Sequence, residues 1–85
     1  MKMQICSIYD SKAEAYLTPM HFQAIGQALR SFADAINSEG EFGKHPEDYT
    51  LFHLGQFDPQ TGFLEPTPAP EAITTGMNVR NGDIR

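Results

Sequence analysis

The fold is decided by residues 22–36, which read FQAIGQALRSFADAI. Large apolar residues recur in this stretch at intervals of 3, 4, 3 and 4 positions, which places them on one side of an α-helix. These residues are Phe22, Ile25, Leu29, Phe32 and Ile36. Polar residues such as Gln27, Arg30 and Asp34 fall on the opposite side. The pattern predicts one amphipathic helix whose apolar stripe is buried against another layer.

The two ends of this helix differ in how well the sequence defines them. Gly40 favours a stop, because glycine readily adopts the left-handed conformation found after helix C-termini. At the start, two interpretations remain open. Thr18 and Pro19 could form a cap and first turn, or Phe22 could end a strand, with the helix beginning near Ala24.

Strands are predicted on both sides of the helix. Residues 3–9 are rich in β-branched and aromatic side chains and lead into a polar turn, after which residues 15–18 run back. Pro19 confines this return strand to a sheet edge or ends it, because proline lacks the N–H donor that a ladder needs. Residues 49–57 read as a further strand, and a turn at 58–62 leads into its partner from Phe63 onward.

The last twenty residues are predicted to differ from the rest. Pro66, Pro68 and Pro70 are followed by a polar run with Gly76, so residues 66–85 are expected to form an extended C-terminal tail without its own core. A tail of this kind would order against a partner. A short strand through residues 72–73 is the alternative.

Together these elements predict an α+β fold of the order β-β-α-β-β. Two hairpins form a small antiparallel sheet beside the amphipathic helix, with residues 1–65 as a single domain and residues 66–85 as the tail. A single helix covers only one face of a sheet, and residues 49–57 carry apolar side chains at both alternating sets of positions. The uncovered face therefore predicts a homodimer.

Composition limits the functions that fit. Six Lys or Arg residues stand against eleven Asp or Glu residues, giving a formal charge of −5, so long-range attraction to nucleic acid is disfavoured. The sequence shows neither a signal peptide nor an apolar run long enough to span a membrane, and it has a single cysteine, Cys6. We expect a cytoplasmic protein in which Cys6 is a small core residue.

No catalytic or metal-binding constellation is predicted. His45, Glu47 and Asp48 could form a metal or acid–base site together with His53. However, they share no helix or strand that would direct their side chains toward one point, which favours a solvated loop. Neither a nucleophile elbow nor a glycine-rich phosphate loop occurs. We therefore expect a protein that is not an enzyme and needs no cofactor.

A local nucleic-acid site is nevertheless conceivable. Aromatic residues on strands can stack against bases, each contact contributing about 1–3 kcal/mol, which would offset unfavourable charge for a single strand. The candidate residues for such a site are Tyr16, Phe52, Lys12, Arg30 and Lys44. The competing interpretation of each aromatic residue is a position in the core or in a protein interface.

Three blocks of the sequence resemble one family. Residues 9–17 (YDSKAEAYL), 27–35 (QALRSFADA) and 44–52 (KHPEDYTLF) are similar to the small nonstructural protein of gokushoviruses, the single-stranded DNA bacteriophages of the Microviridae. The resemblance covers about residues 1–65 and fades in the tail. Members of that family commonly have a small polar residue shortly before a helical Gly-x-Ala block. In this chain the block is residues 26–28, and the position shortly before it is Ala24.

The resemblance implies a phage protein of the host bacterial cytoplasm that is absent from the virion and takes part in single-stranded DNA synthesis or binding. It implies no specific active-site residues. The leading hypothesis is thus an accessory protein that assists genome replication by binding single-stranded DNA. The alternative is an adaptor that binds a phage or host replication protein without contacting DNA, which the net charge favours.

Overall fold

The structure, a computed structural model, describes residues 1–82. The predicted helix is present as α1, Ile25–Ile36. It is preceded by Ala24, whose extended backbone (φ −146°, ψ 154°) marks the first residue outside the helix and whose side chain offers no cap. The side-chain oxygen of Gln27 accepts a hydrogen bond of 3.0 Å from the backbone N–H of Gln23, which ties the first turn of the helix to the segment that precedes Ala24.

Within residues 1–82, five strands form one antiparallel sheet. Strand β1 (Met3–Asp10) lies at its centre, paired on one side with two short strands, β2 (Ala15–Tyr16) and β3 (Met20–Phe22). On its other side β1 pairs with β4 (Tyr49–Phe57), and β5 (Leu64–Thr75) pairs with the outer side of β4. The predicted α+β class and antiparallel sheet are confirmed, and the β1–β4 pairing joins the two hairpins.

The return strand after β1 is interrupted at Pro19, as its missing N–H requires. Residues 17–19 separate β2 from β3, and the backbone N–H of Leu17 still donates to the carbonyl of Ile8 at 2.8 Å. Phe22 ends β3. The interpretation in which Phe22 ends a strand and the helix begins near Ala24 is therefore correct, because Phe22 pairs with Gln4 in the sheet.

The core lies between α1 and one face of the sheet. Ile8 and Leu51 stand directly opposite each other on β1 and β4, and both are buried. From the helix, Phe32 and Ile36 pack into the same cluster with exposures of 2% and 0%. The predicted stripe is thus the buried side of α1.

Two short helices continue the layer formed by α1. Helix α2 (Glu41–Lys44) and a 3-10 turn (Pro46–Asp48) connect α1 to β4, and α3 (Gly76–Arg80) follows β5. The ring of Phe42 packs edge-on against Tyr49 with centroids 4.6 Å apart. None of the helices within residues 1–82 has the length and apolar character needed to cross a bilayer.

The prediction of an extended tail needs correction for residues 66–82, because β5 and α3 belong to the domain. Val79 is 3% exposed in the core cluster, and the guanidinium of Arg80 donates to the carbonyls of Ile36 (2.7 Å) and Gly43 (2.8 Å). The boundary expected at residue 65 falls inside β5. The alternative strand through residues 72–73 is confirmed, and residues 83–85 lie outside the described residues.

The prolines that suggested a tail are compatible with β5 because it is an edge strand. Between the pairs His53–Glu71 and Gly55–Pro66, residue 54 of β4 stands opposite residues 67–70 of β5. The ladder is therefore irregular where Pro68 and Pro70 occur, so the absence of their N–H groups removes no regular ladder hydrogen bond.

Replacing Phe32 by Ala should destabilise the domain by about 3–5 kcal/mol, because the substitution empties a fully buried aromatic position. Thermal unfolding followed by circular dichroism measures the change. The matched control is Phe63→Ala, since Phe63 is 70% exposed and should tolerate the same truncation. Equal melting temperatures for the two variants would show that α1 does not bury its stripe.

Candidate nucleic-acid interface

The second face of the sheet, which we call the open face, points away from α1. Side chains alternate along a strand, so the neighbours of Ile8 and Leu51 lie on this side. Ser7 stands opposite Phe52, and Tyr9 stands opposite Tyr16. The open face therefore carries aromatic residues from three different strands.

Tyr9, Tyr16 and Phe52 form one aromatic cluster. Their ring centroids lie 4.9 Å apart for Tyr9–Tyr16, 5.4 Å for Tyr16–Phe52 and 6.3 Å for Tyr9–Phe52, all in edge-to-face orientation. Such pairs add about 0.5–1.5 kcal/mol beyond simple burial. Tyr16 remains 42% exposed, whereas Tyr9 and Phe52 are half-buried. The cluster is held by its own contacts and still presents ring surface to solvent.

The local backbone fixes the position of the cluster. Asp10 accepts hydrogen bonds from the N–H groups of Lys12 (3.0 Å) and Ala13 (3.3 Å), and Glu14 takes a positive φ of 56°, which closes the turn between β1 and β2. The buried hydroxyl of Ser7 donates to the carbonyl of Leu17. These contacts keep the short edge strand in the register that sets Tyr16 beside Tyr9.

The structure brings together two of the five candidate residues. Tyr16 and Phe52 are in contact, whereas Lys12, in the turn between β1 and β2, lines an acidic pocket that also includes Glu41 of α2. Arg30 is exposed on α1 and Lys44 ends α2, so both belong to the helical layer behind the opposite face. The sequence could not separate these cations, because the side of the sheet on which each one lies depends on packing.

Tyr9 was missing from the candidate residues, although it is central to the cluster. The signal available in the sequence was its alternation with the core residue Ile8, which assigns Tyr9 to the second face. At the other end of this face, His21 contacts Phe57 with ring centroids 5.8 Å apart. The aromatic character of the open face thus extends beyond the predicted set.

The electrostatics of the described residues favour only local contact with a polyanion. Lys2 is paired with Glu65 at 2.8 Å, and the hydrogen bond and charge of that carboxylate raise the pKa of Lys2. Arg80 is occupied by backbone carbonyls. Lys12, in the turn that precedes Tyr16, lines an acidic pocket with Asp10, Glu41 and Tyr49. Stacking must therefore supply most of any affinity for nucleic acid.

Cys6 is inert in this environment. It is 0% exposed on the core face of β1, and burial raises the pKa of its thiol to about 11. The thiolate that a nucleophile or metal ligand needs is therefore strongly disfavoured. Cys6 occupies the core position expected from its apolar neighbours.

One group of side chains within residues 1–82 has the composition of a metal site. Donor atoms of His45, Glu47 and Asp48 lie within 4.8 Å of one another, on the 3-10 turn and the residue before it. The sequence alone favoured a solvated loop here. It gave no indication that Asp10 and Glu41 line the same pocket, because they come from distant elements.

Comparison with known proteins identifies one family. Residues 3–79 match the protein family described as Phage ORF5 protein. Comparison with curated proteins and with solved structures gives no significant match. The family match includes β5 and most of α3, in agreement with their place in the fold.

Self-association stays a prediction, and the open face supplies the surface for it. Beyond the aromatic cluster, Ile5, Leu54, Leu64 and Pro66 line an apolar groove of about 320 Å³, and Leu64 is 65% exposed. We expect a dimeric mass in light scattering at micromolar concentration. Leu64→Glu should shift the mass toward the monomer, and Met77→Glu, at a 42% exposed apolar site on α3, should leave it unchanged. A monomeric mass for the unaltered chain would refute the dimer.

Proposed function

We propose that this chain, which belongs to the Phage ORF5 protein family, assists replication of a single-stranded DNA genome by binding the single strand on its open face. The protein would act in the host bacterial cytoplasm as a nonenzymatic accessory factor. Family membership supports a phage protein, and the similarity of its three sequence blocks to the gokushovirus nonstructural protein supports the connection with single-stranded DNA of the Microviridae.

The observation that carries this proposal is the partly exposed aromatic cluster on a sheet face that α1 leaves uncovered. Bases of a single strand stack on aromatic rings whatever their sequence, and each stack contributes about 1–3 kcal/mol. Tyr16 has the most accessible ring of the cluster, with Phe52 beside it. A strand running across β2, β1 and β4 would meet these rings in succession.

The charge of the protein determines how this binding should depend on salt. With a net charge of −5 and Lys12, four residues before Tyr16, as the candidate cation nearest to the cluster along the chain, few phosphates are neutralised. Each neutralised phosphate of a single strand contributes a slope of about 0.7 in the logarithm of affinity against the logarithm of salt concentration. We therefore expect a slope near that of a single contact, which distinguishes stacking from a basic binding groove.

Tyr16→Leu should weaken binding of a fluorescently labelled oligonucleotide by roughly 5- to 150-fold, the equivalent of the loss of one stacked base. Fluorescence anisotropy at low salt measures the change. Leucine preserves apolar contact with Phe52, so thermal unfolding should be little altered. Lys12→Gln should remove most of the salt dependence.

The control for this experiment is Phe63→Leu, which removes a 70% exposed aromatic ring outside the cluster and should leave binding intact. Absence of binding by the unaltered protein at low salt would refute direct DNA binding. Equal losses for Tyr16→Leu and Phe63→Leu would show that the cluster is not the site.

The second candidate function is that of an adaptor for a phage initiator or a host replication protein. The net charge of −5 and the exposed apolar side chains of β5 favour it, because both suit a protein surface better than a phosphate backbone. Pull-down from infected cells after nuclease treatment discriminates between the two. A replication protein retained without DNA supports the adaptor, and recovery of no such protein counts against it.

A further inference from the structure

A second group of rings lies on the open face, at the opposite end from the aromatic cluster of Tyr9, Tyr16 and Phe52. His21 of β3 and Phe57 of β4 contact each other with ring centroids 5.8 Å apart and ring planes at 81°. His21 is exposed and Phe57 is half-buried, so the pair presents ring surface to solvent. We call these two residues the distal ring pair.

The register of the sheet places the distal ring pair on the same face as the aromatic cluster. His21 stands opposite Ile5 on β1, and Tyr16 stands opposite Tyr9. Ile5 and Tyr9 are four positions apart on one strand, so their side chains point to the same side of the sheet. At about 3.3 Å per residue, the two groups of rings lie about 13 Å apart along β1.

The surface between the two groups of rings is uncharged along β1 and β4. On this face the intervening side chains are those of Ile5 and Ser7 on β1 and Leu54 on β4. The hydroxyl of Ser7 is bound to the carbonyl of Leu17, and Ile5 and Leu54 line the apolar groove. A polyanion that follows these two strands from one group of rings to the other therefore meets none of their carboxylates.

Two carboxylates at the hairpin end beside Phe57 are each bound by a donor of the protein. Glu65 forms an ion pair with Lys2 at 2.8 Å. Asp58 accepts a hydrogen bond of 2.9 Å from the backbone N–H of Gln60, which lowers the pKa of its carboxyl group. The charge of Glu65 is thus compensated and that of Asp58 is directed into the turn, so both repel a phosphate less than free side chains do.

The chemistry of the distal ring pair suits an unpaired nucleobase. Histidine and phenylalanine rings stack against bases, as tyrosine does. An imidazole also carries at least one N–H donor in either protonation state, and His21 exposes this group to a base edge or a phosphate oxygen. The pair therefore offers the same kind of contact as the aromatic cluster, with an additional polar donor.

We propose that the distal ring pair is a second base-stacking subsite, and that one DNA strand runs along β1 from the aromatic cluster to His21 and Phe57. This subsite depends on the proposed binding of single-stranded DNA by the open face and gives that binding a defined length. A stacked strand advances about 3.4 Å per nucleotide and an extended strand advances further, so about three to five nucleotides bridge the interval. A dinucleotide is too short to occupy both subsites.

NMR titrations of the full chain at low salt with a deoxythymidine dinucleotide and with the octanucleotide test the second subsite. The unaltered chain should bind the octanucleotide more tightly. His21→Leu should weaken octanucleotide binding by roughly 5- to 150-fold, the equivalent of one lost stack, and leave dinucleotide binding unchanged. Leucine keeps an apolar contact with Phe57 but offers no ring to a base. Phe57→Leu should act in the same direction.

The matched control is His45→Leu, because His45 is an exposed histidine that precedes the 3-10 turn in the helical layer. Its affinity for both oligonucleotides should equal that of the unaltered chain. Circular dichroism checks that each variant is folded.

The results that would overturn the second subsite differ from those that would overturn DNA binding. If His21→Leu and Phe57→Leu bind the octanucleotide as tightly as His45→Leu does, the second subsite is refuted and binding by the aromatic cluster stands. Equal affinity of the unaltered chain for the two oligonucleotides would refute it as well. Absence of octanucleotide binding would refute the proposed function itself and the second subsite with it.

Discussion

The structure depends on one constraint, which is that a single helix of 12 residues can bury only one face of the sheet. The pairing of β1 with β4 joins the two hairpins into a continuous sheet, and α1 packs its apolar stripe over the face that carries Ile8 and Leu51. Side chains alternate along both strands, so this same arrangement sends Tyr9 and Phe52 to the other side. The covered and the open face are thus consequences of one packing event.

The two faces have opposite chemical character. The helical layer contains Arg30 and Lys44 and ends in the acidic pocket around Tyr49, whereas the open face is aromatic and apolar with little charge. A protein with a net charge of −5 that contacts a polyanion must do so where its own carboxylates are sparse. The aromatic cluster itself contains no carboxylate, and stacking on its rings does not rely on long-range attraction.

A structural feature can be predicted from the sequence when the residues that determine it lie close together in the chain. The spacing of Phe32 and Ile36 is local, so it correctly predicts α1 and its buried side. Pro19 locally dictates the break in the edge strand. Val79 lacks such a signal: its burial depends on β5 carrying the chain back to the core, so the sequence indicated a tail.

The candidate sites also combine features that are set locally with features that depend on long-range strand pairing. Tyr16 and Phe52 are correctly assigned to strands, yet their contact depends on the register of β2 and β4 relative to β1, which separate sequence segments do not specify. Likewise, the residues at 45–48 look like a solvated loop until the β1–β4 pairing brings Asp10 beside them. Long-range pairing, rather than local propensity, builds both surfaces.

The most direct test of the open face as the functional surface is an NMR titration of the ¹⁵N-labelled chain with a short single-stranded oligonucleotide at low salt. The account predicts that amide shift changes concentrate in β2 and in the parts of β1 and β4 around Tyr9 and Phe52, while α1 stays unperturbed. Changes confined to α1 and α2, or none at all, would contradict it.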